Sequence, residues 1–366
     1  MVATIDLIAA ARPNFMKVAP LCKALAAEGQ WCRPRLVHTG QHYDANMSDA
    51  FFRDLGLPDP DIHLGVGSGT HAEQTAGVMV AYEKVCREQR PDWVVVVGDV
   101  NSTLACTLAA TKLCIPVAHL EAGLRSRDRT MPEEINRLAT DALADLLWTP
   151  SPDADENLRA EGVPADRIER VGNIMIDSLE MMRPAIEDRR HFEALGLPAG
   201  HYGVMTLHRP SNVDDSTRLA ALCEVIDGVT QRLPMVFPVH PRTRQRLESF
   251  GLWERLAGLP GLRLIEPAGY VDFMSLVFAS QFVLTDSGGV QEETTYLRIP
   301  CLTLRESTER PITVTEGTNR LIKSESVLAQ VDAILSGDWI AGRIPDRWDG
   351  KTAGRVVASL RERLGA

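Results

Sequence analysis

Short apolar runs rich in β-branched residues alternate with amphipathic stretches along the whole chain. The runs at 4–9, 35–39, 93–98, 116–119, 146–149, 167–171, 203–207, 235–239, 262–265, 282–285 and 301–304 predict strands, and helical periodicity fills most of the intervals. Val94 to Val97 are apolar on both faces, as a central parallel strand covered by helices must be. A repeated βαβα order of this kind predicts a doubly wound α/β architecture.

Length divides the pattern in two, because 366 residues exceed one ordinary core. Pro184 and the charged run 187–191 interrupt the periodicity after VGNIMID (171–177), which places the boundary there. The expectation is an N-terminal Rossmann-like domain over 1–175, a C-terminal one over 176–350, and a last helix within 351–366 able to return to the first domain.

The apolar fraction of 45 % is that of a globular protein, and a net charge of −10 argues against a nucleic-acid partner, since phosphate backbones are held by lysine and arginine. Residues 1–13 are apolar but short, contain Asp6 and lack a basic leader; no run reaches the ~18 apolar residues of a membrane span. A cytoplasmic protein without membrane contact is expected. None of the seven cysteines forms a CxxC pair and most lie in apolar segments, which predicts reduced, buried thiols, no disulfide framework and no zinc site.

Candidate chemistry concentrates between His119 and Arg137, HLEAGLRSRDRTMPEEINR. Pro132 suits a first helical position. In that helix Glu133, Asn136, Arg137 and Thr140 share a polar stripe, with Ile135, Leu138, Ala139, Ala142 and Leu146 on an apolar one, so Glu133 is expected to face a cleft and Glu134 to sit about 100° round the helix. The plainer alternative is that both glutamates complement the helix dipole. Asp99 ends the four-valine strand at the carboxyl edge of the sheet, and Asn101 or Ser102 can cap the following helix, which leaves Asp99 free to act. Arg12 and Lys17 lie near the carboxyl end of the first strand, where open α/β sheets bind ligands; two cations suit an anion. GVGSG (65–69) lacks the full dinucleotide spacing, and Thr70 with Glu73 reads as a capping box, so no nicotinamide is inferred. In HTGQHYD (38–44) glycine separates the two histidines, and no metal is expected.

The second half repeats polar strand tips: His208 and Arg209 follow one strand, His240 and Arg242 another. Ser287, Gly288 and Gly289 connect a strand to a helix whose free N–H groups and dipole favour an anion, with Glu293 a turn further on, within reach of a ribose. The polar stretch 305–319, which holds Arg310, is expected to be irregular and to line the same site.

Taken in order, ARPNFMKVAPL, TGQHYD, GDVNST, HLEAGLRS, MPEEINR, VGNIMIDSL, the histidine-arginine pair at 208, HPRTR, TDSGGVQEE and RESTERP resemble the non-hydrolysing UDP-N-acetylglucosamine 2-epimerase family over nearly the whole chain. The resemblance implies a GT-B fold of two Rossmann-like domains around a cleft. It also implies conversion of UDP-GlcNAc to UDP-ManNAc without cofactor, by a homodimer serving polysaccharide biosynthesis. In that family UDP leaves C1 as the C2 proton is removed, giving 2-acetamidoglucal, and UDP re-adds with the proton returned to the other face. Such a scheme needs two acid/base groups and cations for the diphosphate. By similarity Asp99, Glu121 and Glu133 are the catalytic carboxylates, and His208 assists at the diphosphate or as an acid. Arg12, Ser287, Gly288 and Gly289 bind phosphate and Glu293 binds ribose; Lys17, Arg137, Arg209, His240 and Arg310 complete the expected substrate contacts.

The chain departs from the family at Ala10 and Ala11, where Gly-Thr is usual, at Val100 for threonine, and at Pro210 and Ser211 for Arg-Glu. Glu73 stands at a basic position of the region, near Gln41, Gln74, Arg209 and His240, where members bind a second substrate molecule as activator; activation by substrate is not expected here. Alternatives are the same chemistry on a UDP-2,3-diacetamido uronic acid, a GT-B glycosyltransferase, a hydrolysing epimerase and a non-catalytic nucleotide-sugar binder. The three carboxylates of the first half argue against the transferase and the binder.

Overall fold

In the computed structural model, strands form where the β-branched runs lie. It describes residues 2–10, 12–40, 55–339 and 341–366, with backbone alone for Arg12 and Pro13. Two compact units result: residues 1–181 with 346–366, and residues 182–345.

The first unit holds β1 (Ala3–Ala9), β2 (Cys32–His38), β3 (Ile62–His63), β4 (Trp93–Val97), β5 (Val117–Leu120), β6 (Leu146–Thr149) and β7 (Ile168–Arg170), in the order β3-β2-β1-β4-β5-β6-β7. The second holds β8 (Gly203–Thr206), β9 (Met235–Pro238), β10 (Leu262–Ile265), β11 (Phe282–Thr285), β12 (Cys301–Thr303) and β13 (Asn319–Leu321), in the order β10-β9-β8-β11-β12-β13. Neighbouring strands pair in parallel throughout. Within each sheet the winding reverses once, between β1 and β4 and again between β8 and β11. Loops part there, which opens a ligand site outside the carboxyl ends of those strands. The cores follow the pattern: Val94 to Val97 are at most 1 % exposed, and Met205, Phe237, Phe282 and Leu302 anchor the other unit.

Strands β3 and β13 escape sequence reading because IH and NRL contain no apolar run. Correspondingly, the stretch 305–319 is less irregular than expected: it includes the short helix Ile312–Thr315 and the first residue of β13.

Several helices position the site: α1 (Arg12–Ala26), α2 (His71–Glu88), α3 (Asn101–Lys112), α4 (Pro132–Leu143), α5 (Ile174–Arg189), α6 (Tyr270–Phe278), α7 (Gly289–Leu297) and α8 (Thr352–Leu364). Thr70 and Glu73 form the capping box of α2. Pro184 does not end a segment; it lies inside α5, which runs through the junction of the two units. A proline removes one helical hydrogen bond, while Leu179, Met182 and Ile186 keep a buried stripe on either side of it. The junctions fall at 181/182 and 345/346, not at 175/176 and 350/351. Helix α8 belongs to the first unit: Trp148 Nε1 donates to Ser359 Oγ at 3.0 Å, and Asp177 accepts from the N–H groups of Thr352 and Ala353 at 3.1 and 2.8 Å.

Helix α4 reverses the expected facing. Glu134, Asn136, Arg137, Thr140 and Asp141 are its buried residues, whereas Ile135 and Leu143 are exposed. Its polar stripe is bound into a hydrogen-bond network with the loops after β4 and β5. Among the described residues no helix is long and apolar enough to cross a membrane.

Candidate active site

In the first unit helix α1 and the loops after β4 and β5 bring together Lys17, Asp99 and Glu121. Lys17 is 8 % exposed, and its Nζ pairs with Glu121 Oε2. Gly98, at φ +68°, makes room: a Cβ there would stand 3.2 Å from Lys17 Nζ and 3.5 Å from Glu121 Oε2. Glu121 itself holds φ +72°, a backbone region that non-glycine residues seldom occupy and that marks functional strain. Its Oε1 is buried and has no hydrogen-bond partner among the described residues, so half of a catalytic candidate's acceptor capacity is held open.

Asp99 is fixed by Arg137, whose Nε and Nη2 lie 2.9 and 2.8 Å from Asp99 Oδ2, while Nη1 lies 2.5 Å from Glu134 Oε2. Asn136 Nδ2 donates to the Asp99 carbonyl at 2.9 Å. Arg137, expected among the substrate contacts, is 3 % exposed and committed to these two carboxylates, so it orients Asp99. Asp99 does not cap α3, where Val100 takes the cap position without a side-chain bond.

The two adjacent glutamates differ completely. Glu134 accepts from the N–H groups of Ser126 and Arg127, each at 2.9 Å, and from Ser126 Oγ at 3.0 Å. Burial opposes its ionisation, but those N–H groups, the hydroxyl and Arg137 outweigh it and hold the carboxyl below its ordinary range. Glu133 stands exposed on the first turn of α4. No ion pair or hydrogen bond joins it to Asp99 or Glu121 among the described residues. Beneath the loops, His119 Nδ1 meets Asp141 Oδ1 at 2.6 Å and Nε2 meets the Gly98 carbonyl at 2.8 Å, while Asp141 Oδ2 accepts from Gly123 N at 3.0 Å. One buried imidazole thus braces the backbones that carry Asp99 and Glu121. The Arg12 side chain and Gln41 lie outside the described residues.

In the second unit the corresponding reversal, at β8 and β11, carries His208 and Asp286. Asp286 is fully buried and accepts from His208 N at 3.1 Å, Arg209 N at 2.9 Å and Asn212 Nδ2 at 3.0 Å, with His208 Nδ1 2.9 Å from its Oδ1. Burial would raise its carboxyl; the His208 contact and these donors prevail and hold it below the usual range. The His208 and His240 rings lie 5.7 Å apart. Burial and the neighbouring His208 lower the His240 imidazole below its ordinary value. A cavity of about 380 Å³ is lined by Leu207, His208, His240, Pro267, Phe273 and Ser287 among others, which puts both histidines and the serine on one concave surface.

Gly289 opens α7, and Gly288 precedes it. A Cβ on Gly288 would meet Glu309 Oε1 at 2.7 Å and Arg310 Nη1 at 3.1 Å, so the expected anion site is flanked by the 305–310 segment. Arg310 Nε lies 2.7 Å from Glu292 Oε2. Glu293 is buried and accepts from Tyr270 Oη at 2.8 Å. Burial pushes its carboxyl up to about 7, with Glu292 adding to the shift and Tyr270 opposing it. The unfolded chain therefore releases this proton first, and stability falls as pH rises from the ordinary carboxylate range to about 7. Thermal unfolding of Glu293→Gln should show a protein more stable than wild type at pH 8, by roughly 2–3 kcal/mol, and equally stable at pH 4. Equal stability at both would contradict the buried acid.

Sequence reading gave Asp286 no role of its own, although Asp286 and Ser287 before the glycines favour function there, and it missed Tyr270 and Phe273. The position of Asp286, directly before Ser287, was a signal; the other two lie in a helix whose place beside the site depends on strand order. Among the described residues no group of three or more His, Cys, Asp or Glu is arranged to hold a metal.

Two parallel sheets wound alike, each with polar groups at its reversal point, are those of a GT-B protein, the fold of the solved structure it resembles. The sequence profile of the UDP-N-acetylglucosamine 2-epimerase family matches residues 23–361. The chain belongs to that family and is an epimerase, an isomerase by class. UDP-N-acetylglucosamine 2-epimerase of Methanocaldococcus jannaschii is 41 % identical over 341 residues, 91 % of this chain and 92 % of that one. The crystal structure of the Methanocaldococcus jannaschii enzyme in complex with UDP-GlcNAc and UDP superposes with a TM-score of 0.87 at 40 % identity, covering 98 % of this chain and 99 % of that one. UDP-2,3-diacetamido-2,3-dideoxy-D-glucuronate 2-epimerase of Pseudomonas aeruginosa is 42 % identical over 319 residues, 86 % of this chain and 87 % of that one.

Proposed function

We propose that the protein interconverts UDP-GlcNAc and UDP-ManNAc by elimination and re-addition of UDP. The observation that carries this reading is the Lys17–Glu121 pair beside Asp99: two carboxylates, each oriented by a buried cation, at one sheet edge of the first unit. In the proposed cycle a carboxylate takes the C2 proton, the C1–O bond breaks with its electrons going to UDP, and a C1=C2 double bond forms the glycal. UDP then attacks C1 and an acid on the opposite face returns the proton to C2. The sequence is redox-neutral, so no cofactor is required. Asp99, Glu121 and Glu133 serve as the carboxylates, and His208, oriented by Asp286, assists the departing diphosphate. Ser287, Gly288 and Gly289 hold phosphate at the amino end of α7, with Arg12 and Arg310; Glu293 holds the ribose. The first unit is thus the acid/base half and the second the nucleotide half.

A second reading, the same reaction on a UDP-2,3-diacetamido uronic acid, is favoured by the 42 % identity to the Pseudomonas aeruginosa enzyme. Proton NMR of the purified protein with each sugar nucleotide in deuterated buffer separates them. Loss of the C2 proton signal from UDP-GlcNAc, with UDP-ManNAc appearing, supports the first; exchange in the uronic acid alone replaces it with the second.

The working protein is proposed to be a cytoplasmic homodimer supplying cell-surface polysaccharide synthesis. The reading rests on the family resemblance, and Ile135 and Leu143 on the outward side of α4, 40 % and 36 % exposed, are side chains that a partner subunit would cover. Sedimentation should give about twice the 40.2 kDa chain mass, and Ile135→Glu with Leu143→Glu should give single chains. A wild-type monomer would refute the assembly.

A further inference from the structure

We propose that Arg305 is a direct ligand of the substrate's diphosphate, reaching it with Nη1 beside the amino end of α7; this rests on the reading of Ser287 to Gly289 as the phosphate site. Arg305 follows β12, and its side chain is only 6 % exposed. Nη2 donates to Glu309 Oε2 at 2.9 Å. Nη1 is buried and meets no acceptor among the described residues. A buried guanidinium nitrogen without an acceptor is unfavourable, and its free N–H groups are the feature an incoming anion would satisfy.

Its place points to the same ligand. A Cβ on Gly288 would lie 3.7 Å from Arg305 Nη1 and 3.1 Å from Arg310 Nη1, so two guanidinium groups flank one backbone position. Gly288 has φ −73°, an ordinary helical conformation, so nothing in its backbone calls for glycine. A Cβ there would also meet Glu309 Oε1 at 2.7 Å, so the absent side chain lets Glu309 and the two arginines it holds stand close against the amino end of the helix. Glu309 holds both arginines in position, with Oε1 2.5 Å from Arg310 Nη1. Burial works against its ionisation, yet Arg310 and Arg305 hold its carboxyl far below the usual range. Two arginines face two carboxylates, Glu309 and Glu292, so the cluster is neutral before a ligand arrives. What attracts the diphosphate is therefore directional: uncommitted N–H groups and the helix dipole, aimed at oxygens that gain charge as the C1–O bond breaks.

The test compares UDP with uridine, which lacks phosphate, on the full-length protein. Calorimetry reads UDP, and ligand-observed NMR reads the weaker nucleoside, for wild type, Arg305→Gln, Arg305→Lys and Gly288→Ala. Arg305→Gln should weaken UDP roughly tenfold or more and leave uridine unchanged, with Arg305→Lys recovering part of the loss, because lysine restores charge but not the planar fork. Gly288→Ala should weaken UDP as well. If Gly288→Ala weakens UDP while both Arg305 variants bind it like wild type, Arg305 is not a ligand and the phosphate site stands. If none of the three weakens UDP, the phosphate-site reading itself fails. An equal loss of UDP and uridine in Arg305→Gln and Arg305→Lys would make Arg305 a structural residue and overturn the proposal.

Discussion

Glu121→Gln is expected to bind UDP normally and turn over about 10²–10⁴-fold more slowly, the loss typical when a positioned acid/base group is removed. Glutamine has nearly the same shape, so it should keep the φ +72° bend and accept from Lys17 through its amide oxygen. The cost to the fold is the charge of a buried pair, roughly 1–3 kcal/mol, which a thermal melt would register. Two measurements separate chemistry from folding: C2 deuterium exchange on substrate, and UDP affinity. A variant that exchanges the C2 proton at the wild-type rate would remove Glu121 from the mechanism. Buried polar atoms normally find partners, and the open Oε1 leaves Glu121 an acceptor beside Lys17 and Asp99.

Asp286→Asn is the second large effect. Every contact of the Asp286 carboxylate is with a donor or with His208 Nδ1. An amide brings its own N–H groups against at least one of those donors and loses the charge opposite the imidazole. We expect kcat to fall about 10²–10⁴-fold through loss of the oriented His208, with roughly 1–3 kcal/mol of destabilisation. His208→Gln should cost activity without that loss of stability, because His208 is partly exposed and Asp286 would keep its backbone donors. Equal activity of Asp286→Asn and wild type would break the link between the two residues.

The sequence carried the fold well where apolar runs were long: the four valines of β4 identify a central strand without help from the rest of the chain. It failed where burial is polar. The apolar stripe of α4 predicts its buried face, but Arg137 and Asp141 are drawn inward by Asp99, Glu134 and His119, and that network overrides amphipathic reasoning. Among the site residues, those at strand tips were legible because parallel sheets bind at their carboxyl edges. The roles of Lys17 and Arg137 as partners of Glu121 and Asp99 were not, since a pairing across 104 or 38 positions leaves no local trace. Pro184 misled for a related reason: one absent hydrogen bond looks like a break in a string of letters, while the buried stripe of α5 continues past it.

The position of α8 has a consequence for biosynthesis. Trp148 and Asp177 wait for Ser359, Thr352 and Ala353, so the lobe begun first on the ribosome is the one completed last. The intervening lobe, 182–345, is whole before α8 has been translated. At about 5–20 residues per second the early lobe spends many seconds with a bare flank, and a nascent chain stalled before residue 352 would present that flank to chaperones.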